Sequence, residues 1–333
     1  REGRTRKMPV NRKKVLLPEN LAQAGWDLIR AREDVQAIAY PPSLAASEFH
    51  GFLADADGVA LSYTPYSARE LAASPAMRVV ARIGVGYDSV EVPALSERKV
   101  PLMIAGTANS VSVAEHALFV MLMLAKRATV LDGLVRTGRW HERYRDMPMD
   151  LAGRTVLVIG FGRIGTRIAE RCLAMDMTVL VSDPYVSEAT IRAAGCEPAA
   201  DLDRALPRAD FLTIHCPKTA ATIGLIDGRR LALMKPSAFL VNTARGGIVE
   251  EAPLAKALSD QRLAGAGIDV FATEPVAPDN PLLGLSSVLL SPHMAGVTIE
   301  STARMARAAI GNILSVFDGR PIRENVVNKE VLG

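Results

Sequence analysis

Short apolar runs alternate with stretches of helical periodicity along most of this chain. From Arg154 onward, Thr155–Ile159, Thr178–Val181, Phe211–His215 and Phe239–Asn242 read as strands, and helices are predicted from Ile164 and from Ser187. The segments Gly265–Phe271 and Val288–His293 again run from strand into polar loop. Strands alternating with helices demand right-handed crossovers and a parallel sheet, and such sheets gather ligands at the carboxyl ends of their strands. Ahead of this region, Lys14–Leu17, Gly58–Ser62, Val79–Ile83 and Leu102–Ile104 predict a second, smaller sheet. The run from Ser112 to Leu131 predicts one long apolar helix, with Ser112 as its N-cap and Glu115 completing a capping box. Another helix is expected from Ile299 to about Phe317.

The strand Thr155–Ile159 feeds the turn Gly160-Phe161-Gly162-Arg163-Ile164-Gly165, and the next strand leads to Asp183. In this setting Gly160 permits a tight turn, Gly162 lets the backbone approach a pyrophosphate, and Gly165 lets helix and strand pack closely. Asp183 is placed to accept hydrogen bonds from both ribose hydroxyls and to repel a 2′-phosphate, which favours NAD over NADP. Glycines also mark ordinary turns, so the pattern takes its meaning from the strand before, the helix after and the acid on the second strand. The expected fold class is α/β: two Rossmann-like domains with parallel sheets. A nucleotide domain, 111–296, is inserted into a discontinuous substrate domain, 14–110 and 297–333. Residues 1–13 are read as a flexible basic tail without assigned function.

Composition narrows the classes further. A chain of 333 residues, 49% hydrophobic and 23% charged, can bury cores for two domains. Its net charge of +3 arises at the start, where Arg1, Arg4, Arg6, Lys7, Arg12, Lys13 and Lys14 face Glu2 alone. The remainder is slightly acidic, which argues against nucleic acid as a partner. No apolar run reaches the ~18 residues of a membrane span and no apolar leader segment follows the basic start, so a cytoplasmic protein is expected. Cys172, Cys196 and Cys216 lack metal-binding spacing and suit a reducing compartment. Cys216 beside His215 has the makeup of a nucleophile, but at a strand tip the pair reads better as a border of the cofactor site.

Three segments carry polar residues where the sheet should open. In Phe239–Gly247, Arg245 stands beside two glycines, and a planar guanidinium matches a carboxylate in a two-pronged clamp. Glu274 and His293 close the other two. A histidine exchanges protons near neutral pH, and a nearby carboxylate orients its ring and stabilises its charged form. Taken singly, His293 reads equally well as a satisfied loop histidine and Glu274 before a proline as an ordinary loop charge, while the clamp is the better reading of Arg245 over a surface arginine in a turn. The joint placement of Glu274 and His293 favours the chemistry.

The four motifs Gly160–Gly165, Val241–Gly247, Gly267–Pro275 and Ser291–Gly296, in this order, resemble those of the D-isomer-specific 2-hydroxyacid dehydrogenases. That family includes glyoxylate/hydroxypyruvate reductases and phosphoglycerate dehydrogenases, and the resemblance covers nearly all of the chain. It implies that Arg245 binds the substrate carboxylate and polarises its keto oxygen, that His293 is the acid/base and that Glu274 pairs with it. It also implies that the backbone N–H groups of Val85 and Gly86 hold the carboxylate. Arg163, Ile164 and Gly296, within the motifs, are expected at the cofactor. Thr243, Ala244 and Asp269 are expected at its nicotinamide half, with His215, Cys216, Pro217 and Thr222 along its edge. No metal is expected. The implied partner is a small 2-keto or 2-hydroxy acid, and the implied assembly is a homodimer built through the nucleotide domains.

The resemblance also bears on substrate. Phosphoglycerate dehydrogenases tend to carry arginine where Ser62 aligns, so a small unphosphorylated acid such as glyoxylate or hydroxypyruvate is expected here. The chain stops soon after the last helix, so no appended regulatory domain is expected either. Formate dehydrogenases place a glutamine at the position of Glu274. Two alternatives remain open: a phosphoglycerate dehydrogenase using Arg69 or Arg143 for the phosphate, and an NAD(H)-sensing corepressor-like binding protein.

Overall fold

Apolar runs bounded by turns become buried parallel strands in both halves of the chain. The computed structural model describes residues 12–333. The chain divides into two compact units, one made of residues up to Asn109 together with Thr298–Gly333, the other of Ser110–Val297. Most of the expected basic tail lies outside the described residues. Lys13, assigned to that tail, instead opens the first strand and pairs with Asp34 at 3.3 Å.

The first unit holds a five-stranded parallel sheet of β1 (Lys13–Pro18), β2 (Val35–Tyr40), β3 (Gly58–Leu61), β4 (Val79–Arg82) and β5 (Leu102–Met103), in the order β2-β1-β3-β4-β5. Successive side chains of a strand point to opposite faces. Val15, Leu17, Ala60, Val79 and Ala81 therefore pack on one side with Ala306, Ala309, Ile310 and Ile313 of the helix Ile299–Phe317. Leu16, Val59, Leu61 and Val80 pack on the other with Phe49, Leu53, Leu71 and Leu95. The sequence did not show β2. It lies at the sheet edge and is only partly buried, so its apolar pattern is diluted.

The second unit is a seven-stranded parallel sheet: β6 (Thr155–Ile159), β7 (Thr178–Ser182), β8 (Glu197–Pro198), β9 (Phe211–Ile214), β10 (Phe239–Asn242), β11 (Gly265–Ile268) and β12 (Val288–Leu290). Their order is β12-β11-β10-β9-β6-β7-β8, so the direction of winding reverses between β6 and β9. A crevice beyond the strand ends at such a reversal is where open α/β sheets bind ligands. Both faces are covered: Leu157, Leu180, Leu212 and Leu240 pack with Leu231, Leu254 and Leu258, while Val156, Val158, Val179 and Val241 pack with Ala117, Val120, Met121 and Ile168.

The expected helix from Ser112 to Leu131 is two helices, Ser110–Ala125 and Ala128–Arg136. Ser112 is not an N-cap but a buried residue within the first, and Glu115 lies 3.9 Å from Arg171. The break is tertiary in origin. The Ala125 carbonyl accepts a hydrogen bond from Met149 N at 2.9 Å, and Arg127 takes a left-handed φ of 50°.

Candidate active site

At the tip of β6 the chain makes its glycine turn. Gly160 has a φ of +91°, and a Cβ there would stand 2.7 Å from Cys216 N and 2.8 Å from His215 O. A Cβ at Gly165 would stand 1.9 Å from Gly160 O, so strand and helix touch through backbone. Gly162 differs: a Cβ there would meet none of the described residues within 4 Å, so their packing does not require a glycine. The helix Gly165–Ala174 opens beside it with no side-chain cap and no acid in its first turn, and such N-termini attract phosphate. Arg163 is exposed and Ile164 half-buried on this turn. Asp183 Oδ2 accepts from Phe161 N at 2.7 Å and Oδ1 from Tyr185 N at 2.8 Å. Each carboxylate oxygen has a second lone pair, which leaves acceptor capacity for ribose hydroxyls.

Next to β6, the tip of β9 carries His215, Cys216 and Pro217. His215 Nε2 lies 2.8 Å from Thr213 Oγ1, while its buried Nδ1 has no partner among the described residues. Burial pushes the imidazole down to about 3 and the Cys216 thiol up to about 11, so Cys216 stays a thiol and is not a poised nucleophile. Thr222 Oγ1 donates to Pro217 O at 2.7 Å and accepts from Thr219 N at 2.7 Å, closing the loop. At the tip of β10, Thr243 Oγ1 is also buried without a partner among the described residues. Two orphaned polar atoms at strand tips, with the open side of Gly162, fit a polar ligand such as a dinucleotide.

The Arg245 turn is shaped by Asn242, whose Oδ1 accepts from Ala244 N and whose Nδ2 donates to Arg245 O, each at 3.0 Å. Arg245 Nη1 donates to Ala244 O at 2.7 Å. A Cβ at Gly246 would lie 1.8 Å from Phe271 O, so only glycine lets this turn sit against the loop after β11. That loop carries Glu274. Phe271 N donates to Glu274 Oε1 at 2.9 Å, and Glu274 Oε2 lies 2.7 Å from His293 Nδ1. Three segments far apart in sequence are thus linked: the Arg245 turn to the Glu274 loop through backbone, and Glu274 to His293 through side chains. The His293 and Glu274 side chains are 31% and 36% exposed, so the pair is open to solvent.

Asp269 turns its carboxylate onto the His293 loop, accepting from Ser291 Oγ at 2.6 Å, Met294 N at 2.8 Å and Ala295 N at 2.9 Å. Gly296 lies inside the turn closed by Val297 N donating to Met294 O at 2.9 Å. In the first unit, Val85 and Gly86 follow β4 and are partly exposed. The buried Arg82 shapes their loop, Nε donating to Gly86 O at 2.8 Å and Nη1 to Leu61 O at 3.0 Å. Ser62 is half-buried just past β3, and Arg69 is exposed in a capping turn. The Arg143 guanidinium lies over Tyr144 and Trp140, at 4.4 and 5.3 Å from the ring centroids. Sequence reasoning left Arg82, Asn242 and Ser291 without roles. A charge inside an apolar strand was the available signal for Arg82, and motif membership for the other two.

Among the described residues no cluster of ligating side chains is suited to a metal, and no helix is long and apolar enough to cross a membrane. A family model for the NAD-binding domain of D-isomer specific 2-hydroxyacid dehydrogenases matches residues 118–295. The D-3-phosphoglycerate dehydrogenase of Archaeoglobus fulgidus is 38% identical over 270 residues, covering 81% of this chain and 51% of that protein. The glyoxylate reductase of Korarchaeum cryptofilum is 36% identical over 277 residues, covering 82% of this chain and 83% of that protein. The NADPH-dependent glyoxylate/hydroxypyruvate reductase of Sinorhizobium meliloti, solved with NADP and malonate, superposes with a TM-score of 0.81 at 26% identity, over 94% of this chain and 98% of that one. The chain spans about half the length of the first phosphoglycerate dehydrogenases it matches. With the family's NAD-binding domain matched over most of the second unit, this chain belongs to the D-isomer specific 2-hydroxyacid dehydrogenase family.

Proposed function

We propose that the protein is an NAD-dependent D-2-hydroxyacid dehydrogenase that interconverts a small unphosphorylated 2-keto acid, such as glyoxylate or hydroxypyruvate, and its D-2-hydroxy acid. The observation that carries this reading is the 2.7 Å contact of His293 Nδ1 with Glu274, on a loop against which Gly246 seats the Arg245 turn. Bound NADH supplies the hydride for C2 of the keto acid. Gly160, Gly162 and Gly165 shape its pyrophosphate site, and the helix start beside them supplies N–H donors. His215, Thr222, Thr243 and Ala244 border it. With Nδ1 held by Glu274, the proton exchanged with the carbonyl oxygen is the one on Nε2 of His293. Arg245 pairs with the carboxylate and fixes which face of the carbonyl is presented. The family resemblance supports a carboxylate role for Val85 and Gly86 as part of this proposal.

Asp183 at the tip of β7 makes NADH the expected cofactor, because its carboxylate opposes a 2′-phosphate. A homodimer formed through the NAD-binding unit and a cytoplasmic location belong to the same proposal. The relatives named D-3-phosphoglycerate dehydrogenase favour a second reading, in which the keto acid bears a phosphate. A panel of glyoxylate, hydroxypyruvate and phosphohydroxypyruvate, each with NADH and NADPH, separates these. Turnover of the plain acids with NADH is expected. A strong preference for the phosphorylated acid selects the second reading, a preference for NADPH overturns the role of Asp183, and NADH binding without turnover selects a sensor.

A further inference from the structure

We propose that His116 is a positioning residue for the His293 loop, acting through the Ser291 hydroxyl and the Asp269 carboxylate. The inference rests on the acid/base role given to His293 above. His293 holds a backbone φ of +56°, a conformation that residues other than glycine adopt only where their surroundings over-determine it. Asp269 does most of that work. Its carbonyl oxygen accepts from His293 N at 2.8 Å, and its carboxylate grips Ser291 on one side of His293 and the Met294 and Ala295 amides on the other.

Ser291 is the pivot of this network. Its single hydroxyl proton goes to Asp269 Oδ1 at 2.6 Å, because a carboxylate only accepts. The 3.2 Å contact between Ser291 Oγ and His116 Nε2 must then use a proton on the imidazole, which fixes the ring as a donor at Nε2. The hydroxyl cannot turn away without giving up one of its two partners.

The fold explains why His116 arrives there. A Cβ on Gly267 of β11 would lie 2.0 Å from Val120 Cγ1, so the helix Ser110–Ala125 rests directly on the strand at that point. His116 precedes Val120 by one helical turn on the same face. It therefore comes level with the strand tip, two residues beyond Gly267, where Asp269 stands. The His116 ring also lies 5.9 Å from that of Phe119, a packing contact that does not depend on its nitrogens.

Three variants separate donor from packing: His116→Phe keeps a ring but no donor, His116→Gln restores a donor close to the Nε2 position, and Ser291→Ala removes the pivot. With the keto acid the wild type accepts, His116→Phe is expected to lower kcat by about tenfold or more while KM for NADH and keto acid stays within about twofold, since small displacements of a reacting group are costly. The solvent deuterium isotope effect on kcat should rise, His116→Gln should recover most of the loss, and the Phe/Ala double variant should be no worse than Ser291→Ala alone. Hydrogen exchange at the Met294 and Ala295 amides, measured without substrate, should quicken by about tenfold in His116→Phe. Unchanged kcat and unchanged exchange in His116→Phe, or a loss that Gln does not repair, overturns the proposal. Should His116→Phe fail to fold, Ser291→Ala carries the same two measurements. Faster exchange in a protein that reduces no keto acid would leave the positioning intact and sink the role of His293 instead.

Discussion

His215 and His293 both stand just beyond the carboxyl end of a strand in one sheet, yet their surroundings prepare them for opposite fates. His215 is packed at the tip of β9, with a threonine hydroxyl on one nitrogen, none of the described residues bonded to the other, and its imidazole pushed down to about 3 by burial. His293 stands partly exposed on its loop with a carboxylate 2.7 Å from Nδ1. A strand tip brings a side chain to the ligand edge. Solvent access and an acidic partner decide whether it can trade a proton there.

The contrast fails most visibly if the wrong imidazole matters. His293→Asn should lower kcat by about a thousandfold, in the range of lost general acid catalysis, with NADH affinity by fluorescence within about threefold of wild type. His215→Asn should lower kcat by less than about tenfold. Equal losses in the two would mean that the acidic partner confers no distinction.

A middle-sized effect tests the burial of His215 directly. With the folded imidazole pushed down to about 3, the unfolded chain takes up a proton below its ordinary value near 6.5 that the folded chain refuses. Stability should then fall as pH drops from about 6.5 towards 3, by up to about 1.4 kcal/mol per pH unit from this residue. Urea midpoints between about pH 7 and about pH 5 should slope more steeply for wild type than for His215→Gln; parallel slopes would mean that the imidazole is hydrated.

The smallest effect concerns the neighbouring thiol. Pushed up to about 11, Cys216 is almost wholly protonated at neutral pH, so Cys216→Ser should keep activity within about threefold. An abrupt loss, or rapid inactivation of the wild type by iodoacetamide that NADH prevents, would return the thiol to the list of working groups.

What could be read from the chain tracks how local each feature is. The glycine turn and Asp183 sit on two consecutive strands, so their spacing carried the meaning. The helix Ser110–Ala125 ends because Met149 caps the Ala125 carbonyl, a contact across more than twenty residues that leaves no trace in periodicity. Strand β2 escaped notice because an edge strand needs less apolar surface than a central one. Arg245, Glu274 and His293 could be named as a set, but the link between their segments depends on Gly246 pressing on Phe271 and on Asp269 knitting the last loop, neither of which a strand pattern discloses.

Gly162 carries a consequence of its own. Gly160 and Gly165 in the same turn are fixed by collisions within the protein, whereas a methyl group added at 162 would meet none of the described residues within 4 Å. Packing therefore makes no demand on that position, and the proposed approach of a nucleotide is what would ask for glycine there. On that proposal, a lineage that lost the cofactor could let the residue drift with no collision to oppose it, and this one hydrogen atom would mark whether the crevice is still in use.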